Sequence, residues 1–409
     1  MNEEHESSAK LALDEVLNWI IGFAVSFTVL GLCVMLYGKA TAPVAAPTPQ
    51  RANGVITADE WERTYPEIVS SYKANGENTY ILDYLEEDPY LKTIYAGFGF
   101  AKQYGSARGH EYCLEDLFET ARPHPMANCL TCKTADFTKM VQDQGISAYS
   151  LDFDSVKDSM TESVGCYTCH ANEPDGTLVV THDYLMDFTG IDPATLSCGQ
   201  CHIEYYFTPD AKATDVPYTD VATMTPDAML QFYDDMDFAD WTQESTGARL
   251  LKAQHPEMET FLNGSIHASM GLNCASCHME KVDDGKKVYT SHELVSPLDS
   301  PAILETCAAC HKGVDMKQKV HDIQEKTTAR EKEIGFALED FNEALAAANA
   351  QGGLSEDVLN NVRTIYRHAQ WYFDFVYVEN SEGAHNSALA NDCLDKAEAL
   401  IAEGMQLLS

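Results

Sequence analysis

Basic residues are scarce in this sequence. Its 409 residues include 27 lysines and arginines against 64 aspartates and glutamates, which gives a formal net charge of −37. A surface this acidic argues against a nucleic-acid partner and against docking on anionic membrane surfaces. It is typical of a solvated protein outside the cytoplasm that can dock basic partners.

Cysteine, by contrast, is abundant, and its spacing carries most of the information. Ten of the thirteen cysteines form five C-x-x-C pairs: Cys129 and Cys132, Cys166 and Cys169, Cys198 and Cys201, Cys274 and Cys277, and Cys307 and Cys310. Zinc ribbons, iron–sulfur ligation and redox dithiols share this spacing. The last four pairs, however, are followed directly by His170, His202, His278 and His311. C-x-x-C-H is the attachment pattern of c-type haem, so the sequence predicts covalent haem c at these four sites.

The first pair departs from that pattern, because Lys133 stands where histidine is expected. Lys133 could be a surface lysine beside a disulfide or a lost motif. Alternatively its neutral amine could be the proximal ligand of a fifth haem, since the pKa of a lysine falls when the side chain is desolvated and metal-bound. A haem without a histidine on its other face would be open to a substrate.

Histidines outside the motifs are numerous enough to complete four haems. A low-spin electron-transfer haem needs two axial ligands, and each motif supplies one. Ten further histidines are present, at positions 5, 110, 124, 182, 255, 267, 292, 321, 368 and 385. Bis-His ligation of all four haems is therefore possible.

The N-terminal region has the composition of a membrane or export segment. Residues 16–37 contain no charge and are long enough to span a bilayer, although a cleaved secretory signal remains the alternative. We expect a cytoplasmic segment over 1–15, an anchor or signal segment over 16–38 and a linker over 39–56. Both alternatives place the body outside the cytoplasm, on the periplasmic side.

The body, residues 57–409, combines an irregular region with helices. A capping-box pattern from Thr57 to Glu60 predicts a helix at its start. Between residues 80 and 312 turn residues are common and periodic runs are few, as expected of a chain wrapped around haems. Apolar residues then recur at helical spacing in three segments: Ile334, Leu338, Phe341 and Leu345; Leu359, Val362, Tyr366 and Phe373; and Leu389, Cys393 and Leu400. The sequence thus predicts a mainly α multihaem cytochrome c fold with long C-terminal helices and little β structure.

Two cysteines of the body lie outside any motif, Cys113 and Cys393. We interpret them as buried free thiols rather than catalytic ones, with a disulfide between them as an open alternative. The long C-terminal helices over 313–409 can pack on the haem core, form a dimer interface, or do both.

Three motifs resemble those of a known family, the pentahaem ammonia-forming cytochrome c nitrite reductases. They are C-x-x-C-K followed by four C-x-x-C-H, "CGQCHIEYYF" at 198–207 and "KAQHPEMETF" at 252–261. The resemblance extends over roughly residues 57–400. It implies five covalent haems c, with Lys133 as the proximal ligand of the active-site haem, and a homodimer formed through the C-terminal helices.

The resemblance also implies a pocket and a calcium site. Tyr205 and His255 match the pocket tyrosine and histidine of the family, and Arg122 matches its arginine, with Arg108 as a weaker alternative. The calcium ligands correspond to the carboxylate of Glu204, the side-chain carbonyl of Gln254 and the main-chain carbonyls of Tyr205 and Lys252. An all-oxygen set of this kind suits a hard cation.

The same correspondence pairs each motif histidine with a distal ligand. His110 is expected opposite His202, His292 opposite His170, His267 opposite His311, and His385 opposite His278, with His368 as a weaker alternative to His385. No role follows for His124, His182 and His321, which we expect at the surface or in the core.

The activity implied is the six-electron reduction of nitrite to ammonium in dissimilatory nitrogen metabolism. The competing class is a multihaem electron carrier without a substrate, which would need neither an open haem nor a pocket around it. The resemblance suggests a membrane-bound tetrahaem quinol dehydrogenase or a soluble multihaem cytochrome as electron donor.

Overall fold

The computed structural model describes residues 16–32, 47–123, 125–172 and 176–409, in two compact units that divide between Ala46 and Pro47. In the first unit residues 16–32 form helix α1. Among all described residues, no helix is both long and apolar enough to cross a membrane. The predicted cytoplasmic segment 1–15 and the rest of the anchor segment lie outside the described residues, as does His124.

The second unit is mainly helical, as predicted. Its helices are α2 (Ala58–Trp61), α3 (Pro66–Lys73), α4 (Tyr84–Glu87), α5 (Leu91–Ile94), α6 (Cys113–Glu119), α7 (Ala135–Gln144), α8 (Phe153–Val156), α9 (Cys166–Cys169), α10 (Pro193–Gly199), α11 (Pro226–Asp235), α12 (Glu257–Leu262), α13 (Ile266–Ser269), α14 (Cys274–His278), α15 (Pro301–Ala308), α16 (Met316–Gln351), α17 (Glu356–Tyr377) and α18 (Ser387–Leu408). Short 3₁₀ helices lie between them, at Ala74–Glu77, Gly99–Ala101, His110–Tyr112, Ala127–Leu130, Gly145–Ser150, Lys157–Ser159, Asp183–Leu185, Val221–Thr223 and Pro297–Asp299.

Strands in the described residues are confined to three antiparallel hairpins. They are β1 (Tyr206–Phe207) with β2 (Thr214–Asp215), β3 (Trp241–Thr242) with β4 (Arg249–Leu250), and β5 (Lys281–Asp283) with β6 (Val288–Thr290). The Cα partners are Tyr206 with Asp215, Trp241 with Leu250, and Val282 with Tyr289. Each hairpin is too short to form a core of its own.

The helix at the start of the body is shorter than its sequence pattern indicates. Thr57 caps α2 with both hydrogen bonds of a capping box, through Glu60. The helix nevertheless ends at Trp61, and α3 begins only at Pro66. Tyr65 precedes this proline, and the proline ring disfavours the α conformation of the residue before it.

The three C-terminal helices agree with the predicted periodicity. Their predicted apolar positions Leu338, Phe341 and Leu345 of α16 and Val362, Tyr366 and Phe373 of α17 are fully buried. Helix α16 ends where Gly352 adopts φ of +70° and its N–H bonds the carbonyl of Ala348, a conformation that favours glycine. Helix α18 approaches α16 closely at Gly404, where a Cβ would overlap the Phe341 ring.

The main apolar core lies between these helices and the segments that precede them. It joins residues of α5, α11, β4, α16, α17 and α18, whereas a second cluster forms around α7 and the Ala127–Leu130 turn. Between residues 57 and 312 the helices are short and separated by turns. This part of the chain therefore encloses a large cavity instead of filling it with side chains.

Candidate active site and haem cavity

All ten motif cysteines line one connected cavity of about 3160 Å³. A pocket for a single small ligand usually measures roughly 300–1,000 Å³, so this cavity has room for several large groups. Cys113 also lines it, whereas Cys393 is fully buried on α18. Both of these cysteines are free thiols.

Local helical geometry turns two of the cysteine pairs toward the cavity. Cys166 and Cys169 lie on α9, and Cys274 and Cys277 lie on α14. Residues three apart on one helical turn share a face, so the two sulfurs of a pair point the same way. Lys133 continues the turn after Cys129 and Cys132, because its N–H bonds the carbonyl of Leu130 at 3.0 Å.

The four expected histidine pairs are brought together in the cavity. The ring centroids are 6.2 Å apart for His110 and His202, and 6.1 Å apart for each of the other three pairs, which are His170 with His292, His267 with His311, and His278 with His385. Two imidazoles on opposite sides of one metal have centroids about 6.2 Å apart, given metal–nitrogen bonds of roughly 2.0 Å and ring radii of about 1.1 Å. The residues present therefore fit iron held between paired histidines.

The other histidines are placed elsewhere. His368 hydrogen-bonds Asp234 at 2.7 Å and does not face His278. His182 is buried, and its Nε2 lies 3.0 Å from the Thr131 carbonyl oxygen. Both histidines thus already have polar partners outside the four pairs.

Contacts between cysteines of different pairs give the order of the attachment sites. Cys132 contacts Cys201, and Cys198 contacts Cys274. Cys277 lies near Cys307, and Cys169 lies beside Ser197. The sites therefore run from the Cys129 pair through the Cys198 and Cys274 pairs to the Cys307 pair, and the Cys166 pair adjoins the Cys198 pair.

Arg122 lies next to the Lys133 site. Its guanidinium carbon is 4.4 Å from the centre of the Phe100 ring, and its Nε donates to the Thr120 hydroxyl at 3.3 Å. Burial lowers the pKa of Arg122, whereas the neighbouring Tyr205 and Cys129 raise it. The competing candidate, Arg108, is instead paired with Glu115 and Asp116 and lies over the Tyr112 ring.

His255 and Tyr205 line the same cavity as Lys133 and Arg122. The His255 side chain is 46% exposed because it faces the cavity. Enclosure by the fold lowers the pKa of His255 to about 4, with Glu257 opposing this shift and Lys133 adding to it. Burial also holds the pKa of Tyr205 well above its usual range, so its hydroxyl keeps its proton.

The expected calcium ligands form a polar cluster beside Tyr205. The Glu204 carboxylate is buried and accepts from the Gln254 N–H at 2.6 Å and from the Tyr233 hydroxyl at 2.8 Å. The Gln254 side-chain amide lies 2.9 Å from the Lys252 carbonyl oxygen, and turning this amide over would present its own oxygen there. The Glu204 carboxylate, the Gln254 side-chain amide and the Lys252 carbonyl therefore lie close together.

The charge around Glu204 favours a cation. Burial holds the pKa of Glu204 well above its usual range, and the nearby Glu259 and Asp240 add to this effect. A buried carboxylate is costly unless a positive charge compensates it. The described residues contain no group of three or more His, Cys, Asp or Glu side chains that could hold a metal, so any ion here would depend on carbonyl oxygens.

The attachment motifs, the cavity and the histidine pairs define the class of protein, a multihaem c-type cytochrome. Comparison with known proteins then gives the family. The family model for cytochrome c552 matches residues 57–409, and the chain belongs to that family.

Two relatives illustrate the similarity. The chain is 31% identical over 400 residues to a cytochrome c-552 of Desulfotalea psychrophila, covering 86% of this chain and 76% of that protein. A solved structure of the catalytic subunit NrfA, the cytochrome c nitrite reductase of Desulfovibrio desulfuricans, superposes with a TM-score of 0.79 at 27% identity. That match covers 88% of this chain and 87% of the other, and the other protein has two calcium sites.

Several residues that shape the site carry no recognisable signal in the sequence. Glu257 faces His202, Glu379 bonds His385, and Asp374 holds the segment before His255. Each is a single acidic residue among 64, and only the fold brings it to the site.

Proposed function

We propose that the protein reduces nitrite to ammonium with six electrons at a haem held by Cys129, Cys132 and Lys133. Nitrite reduction by a multihaem cytochrome is the activity that the family and the structural neighbour support. The observation that carries the proposal is the lysine of the first motif, Lys133, with Arg122, Tyr205 and His255 on the same cavity. The other four motifs have facing histidines, as electron-transfer haems need.

The cofactors of the proposed enzyme are five covalent haems c and a calcium ion. When bound at Lys133, the haem supplies the iron and the redox chemistry of the reaction. The chain supplies binding and orientation: Arg122 attracts the nitrite anion, and His255 and Tyr205 donate hydrogen bonds to its oxygens. His255 is also suited to pass protons as the nitrogen–oxygen bonds break and water leaves.

Calcium would be held by Glu204, Gln254 and the carbonyls of Tyr205 and Lys252. The buried Glu204 carboxylate and its acidic neighbours support this assignment. Such an ion would fix the Tyr205 backbone and add local positive charge beside the pocket. This local charge matters because the whole protein, at −37, would otherwise repel an anionic substrate.

Electrons would reach the Lys133 site through the Cys198 pair. The contact between Cys132 and Cys201 supports this route, because it makes these two attachment sites direct neighbours. The Cys166 pair and the Cys274 pair both adjoin the Cys198 pair. Three neighbouring sites therefore converge on one central haem position.

The protein works outside the cytoplasm, as cytochromes c nitrite reductases do. We further propose a homodimer through the C-terminal region 313–409, with a membrane tetrahaem quinol dehydrogenase or a soluble multihaem cytochrome as donor. The apolar segment 16–38 would hold the protein at the membrane or direct its export. Residues 57–409 form the catalytic domain in this proposal.

The test is the amount of ammonium released per nitrite consumed by purified protein with chemically reduced viologen. A ratio near one establishes the six-electron reaction. No nitrite consumption with all five haems present would refute it and would leave an electron carrier without a substrate.

A further inference from the structure

The expected axial histidines differ in the group that accepts a hydrogen bond from the ring nitrogen that does not bind iron. A histidine that binds metal through Nε2 carries its proton on Nδ1, and the acceptor of that proton sets the basicity of the ring. The Nδ1 atoms of His170, His278 and His292 lie 3.2, 3.2 and 3.0 Å from main-chain carbonyl oxygens. These three rings therefore have neutral acceptors.

His385 has a charged acceptor instead. Its Nδ1 lies 2.6 Å from Oε1 of Glu379, and the Glu379 side chain is only 4% exposed. A short hydrogen bond to a buried carboxylate gives the ring partial imidazolate character, which makes it a stronger donor to iron. The bond from His385 to Glu379 is shorter than the Nδ1 contacts of His170, His278 and His292.

The turn between Glu379 and His385 is built to hold this geometry. Oε2 of Glu379 accepts from the Ser381 hydroxyl at 2.5 Å, and the same hydroxyl accepts from the His385 N–H at 2.9 Å. Gln324 of α16 donates to the Ser381 carbonyl at 3.3 Å. Both carboxylate oxygens of Glu379 therefore accept hydrogen bonds, one from His385 and one from Ser381. The orientation of the carboxylate thus does not depend on the His385 ring alone.

Another axial histidine faces a carboxylate without bonding it. His202 Nδ1 lies 3.8 Å from Oε2 of Glu257, beyond hydrogen-bond distance. The other oxygen of Glu257 accepts from the Asn380 side chain. Direct carboxylate bonding is thus a property of His385 within this set of histidines.

Glu331 of α16 also lies near Glu379. Burial, with Glu382, Glu379 and Asp88 nearby, raises the pKa of Glu331 to about 8, so Glu331 stays protonated at neutral pH and the negative charge beside His385 is that of Glu379. Reduction of a bis-His haem adds one electron to iron and neither makes nor breaks a bond. Nearby negative charge opposes this added electron and so favours the oxidised state.

We propose that Glu379 is a positioning residue that makes the His278–His385 haem the lowest in reduction potential of the four bis-His haems. This inference rests on the proposed function, since it requires haem at that site. The site lies between the Cys198 pair and the Cys307 pair. An electron that moves from the haem of the Cys198 pair to that of the Cys307 pair must therefore pass through the haem with the lowest reduction potential. This uphill step slows the loss of electrons from the Cys198 site, which adjoins Lys133.

The experiment is a redox titration of holoprotein followed by EPR, with wild type, Glu379→Gln and Glu382→Gln compared. Glutamine keeps the hydrogen bond to His385 but removes the charge. In Glu379→Gln we expect the oxidised-to-reduced ratio of one low-spin signal, measured at a fixed applied potential, to fall at least tenfold. This corresponds to a rise in the reduction potential of that haem of about 59 mV for one electron. The exposed Glu382 is in the same turn and does not touch the ring, so its variant should shift that signal less.

Three outcomes overturn the inference, and they are distinguishable. If Glu379→Gln keeps five haems and all low-spin signals but moves no potential, the role of Glu379 is wrong while the haem assignment stands. If the Cys274 site carries no haem, or its haem is not bis-His, the proposed ligation fails and the inference with it. A shift of equal size in both variants would show a general charge effect and would also refute it.

Discussion

The buried ion pair between Lys252 and Asp374 offers a demanding test of how the fold supports the site. The two side chains are 1% and 0% exposed, with Lys252 Nζ 3.1 Å from Asp374 Oδ1. Asp374, on α17, also accepts from the Ala253 N–H at 2.9 Å and from the Tyr95 hydroxyl. Ala253 immediately precedes Gln254 and His255, so α17 holds the segment that enters the pocket.

The perturbation is Asp374→Asn, which removes the negative charge with little change in volume. Burial lowers the pKa of Lys252 and raises that of Asp374, and each partner opposes the shift of the other. Desolvation is therefore costly for both groups and is offset only while the pair is intact. Breaking such a pair costs about 3–5 kcal/mol, which is a loss of about 10²–10⁴ in the folded-to-unfolded ratio.

The assay is guanidinium unfolding followed by far-UV circular dichroism. Lys252→Met added to Asp374→Asn removes the stranded cation, so the double variant should recover about 0.5–3 kcal/mol relative to Asp374→Asn alone. Asp392→Asn is the control, because Asp392 forms an exposed pair with Lys396 and should cost less than about 1 kcal/mol. The reasoning is refuted if the double variant is no more stable than Asp374→Asn, or if Asp374→Asn costs no more than the control.

Three further predictions concern the site and the charge around it. Lys133→His should keep five haems but lower nitrite turnover by more than ~10-fold, because it replaces the ligand that distinguishes this site. Calcium analysis should find a tightly held ion, and Glu204→Gln should lose it because the only carboxylate of the set is removed. Glu331, whose pKa burial and its acidic neighbours raise to about 8, ionises in the unfolded chain near its ordinary value of 4.5. The native state therefore loses stability as pH rises from 4.5 to 8, and Glu331→Gln should gain on wild type by roughly 2–4 kcal/mol over that window.

Each of these predictions has a contrary result. Unchanged turnover in Lys133→His would remove Lys133 from its proposed role. Calcium retained by Glu204→Gln would exclude that carboxylate from the ligand set. For Glu331, unfolding midpoints measured at pH 5 and pH 8 are compared with those of Glu333→Gln, an exposed neighbour. Equal behaviour of the two variants would show that Glu331 has an ordinary pKa.

Much of the fold could be predicted because its strongest signals are local. Each C-x-x-C-H motif indicates its cofactor within five residues. The break around Gly352 separates helices that have a clear periodicity of apolar residues. The region between residues 80 and 312 is predicted only as irregular. Its short helices are shaped by what they enclose, and the spacing of apolar residues does not encode that shape.

The site could be predicted in its ligands but not in their surroundings. His110 and His385 could be paired with motif histidines only through the family resemblance, since nothing in the local sequence specifies a partner so far along the chain. The contacts of Glu379 and Asp374 depend on a turn after α17 and on a helix face that tertiary packing selects. Short-range patterns carry no information about such contacts.

The cavity shared by the ten motif cysteines has a consequence for biogenesis. Its walls come from nearly the whole body of the chain, so the cavity takes its shape only when these distant segments have packed together. We therefore expect haems to be joined to the chain before the fold is complete. His385 lies far downstream of His278, after α16 and α17, so this histidine pair forms only when the C-terminal helices pack beside the cavity. Haem attachment and folding of this protein are thus coupled. A chain that lacks one haem should therefore fail to complete the packing of its C-terminal helices.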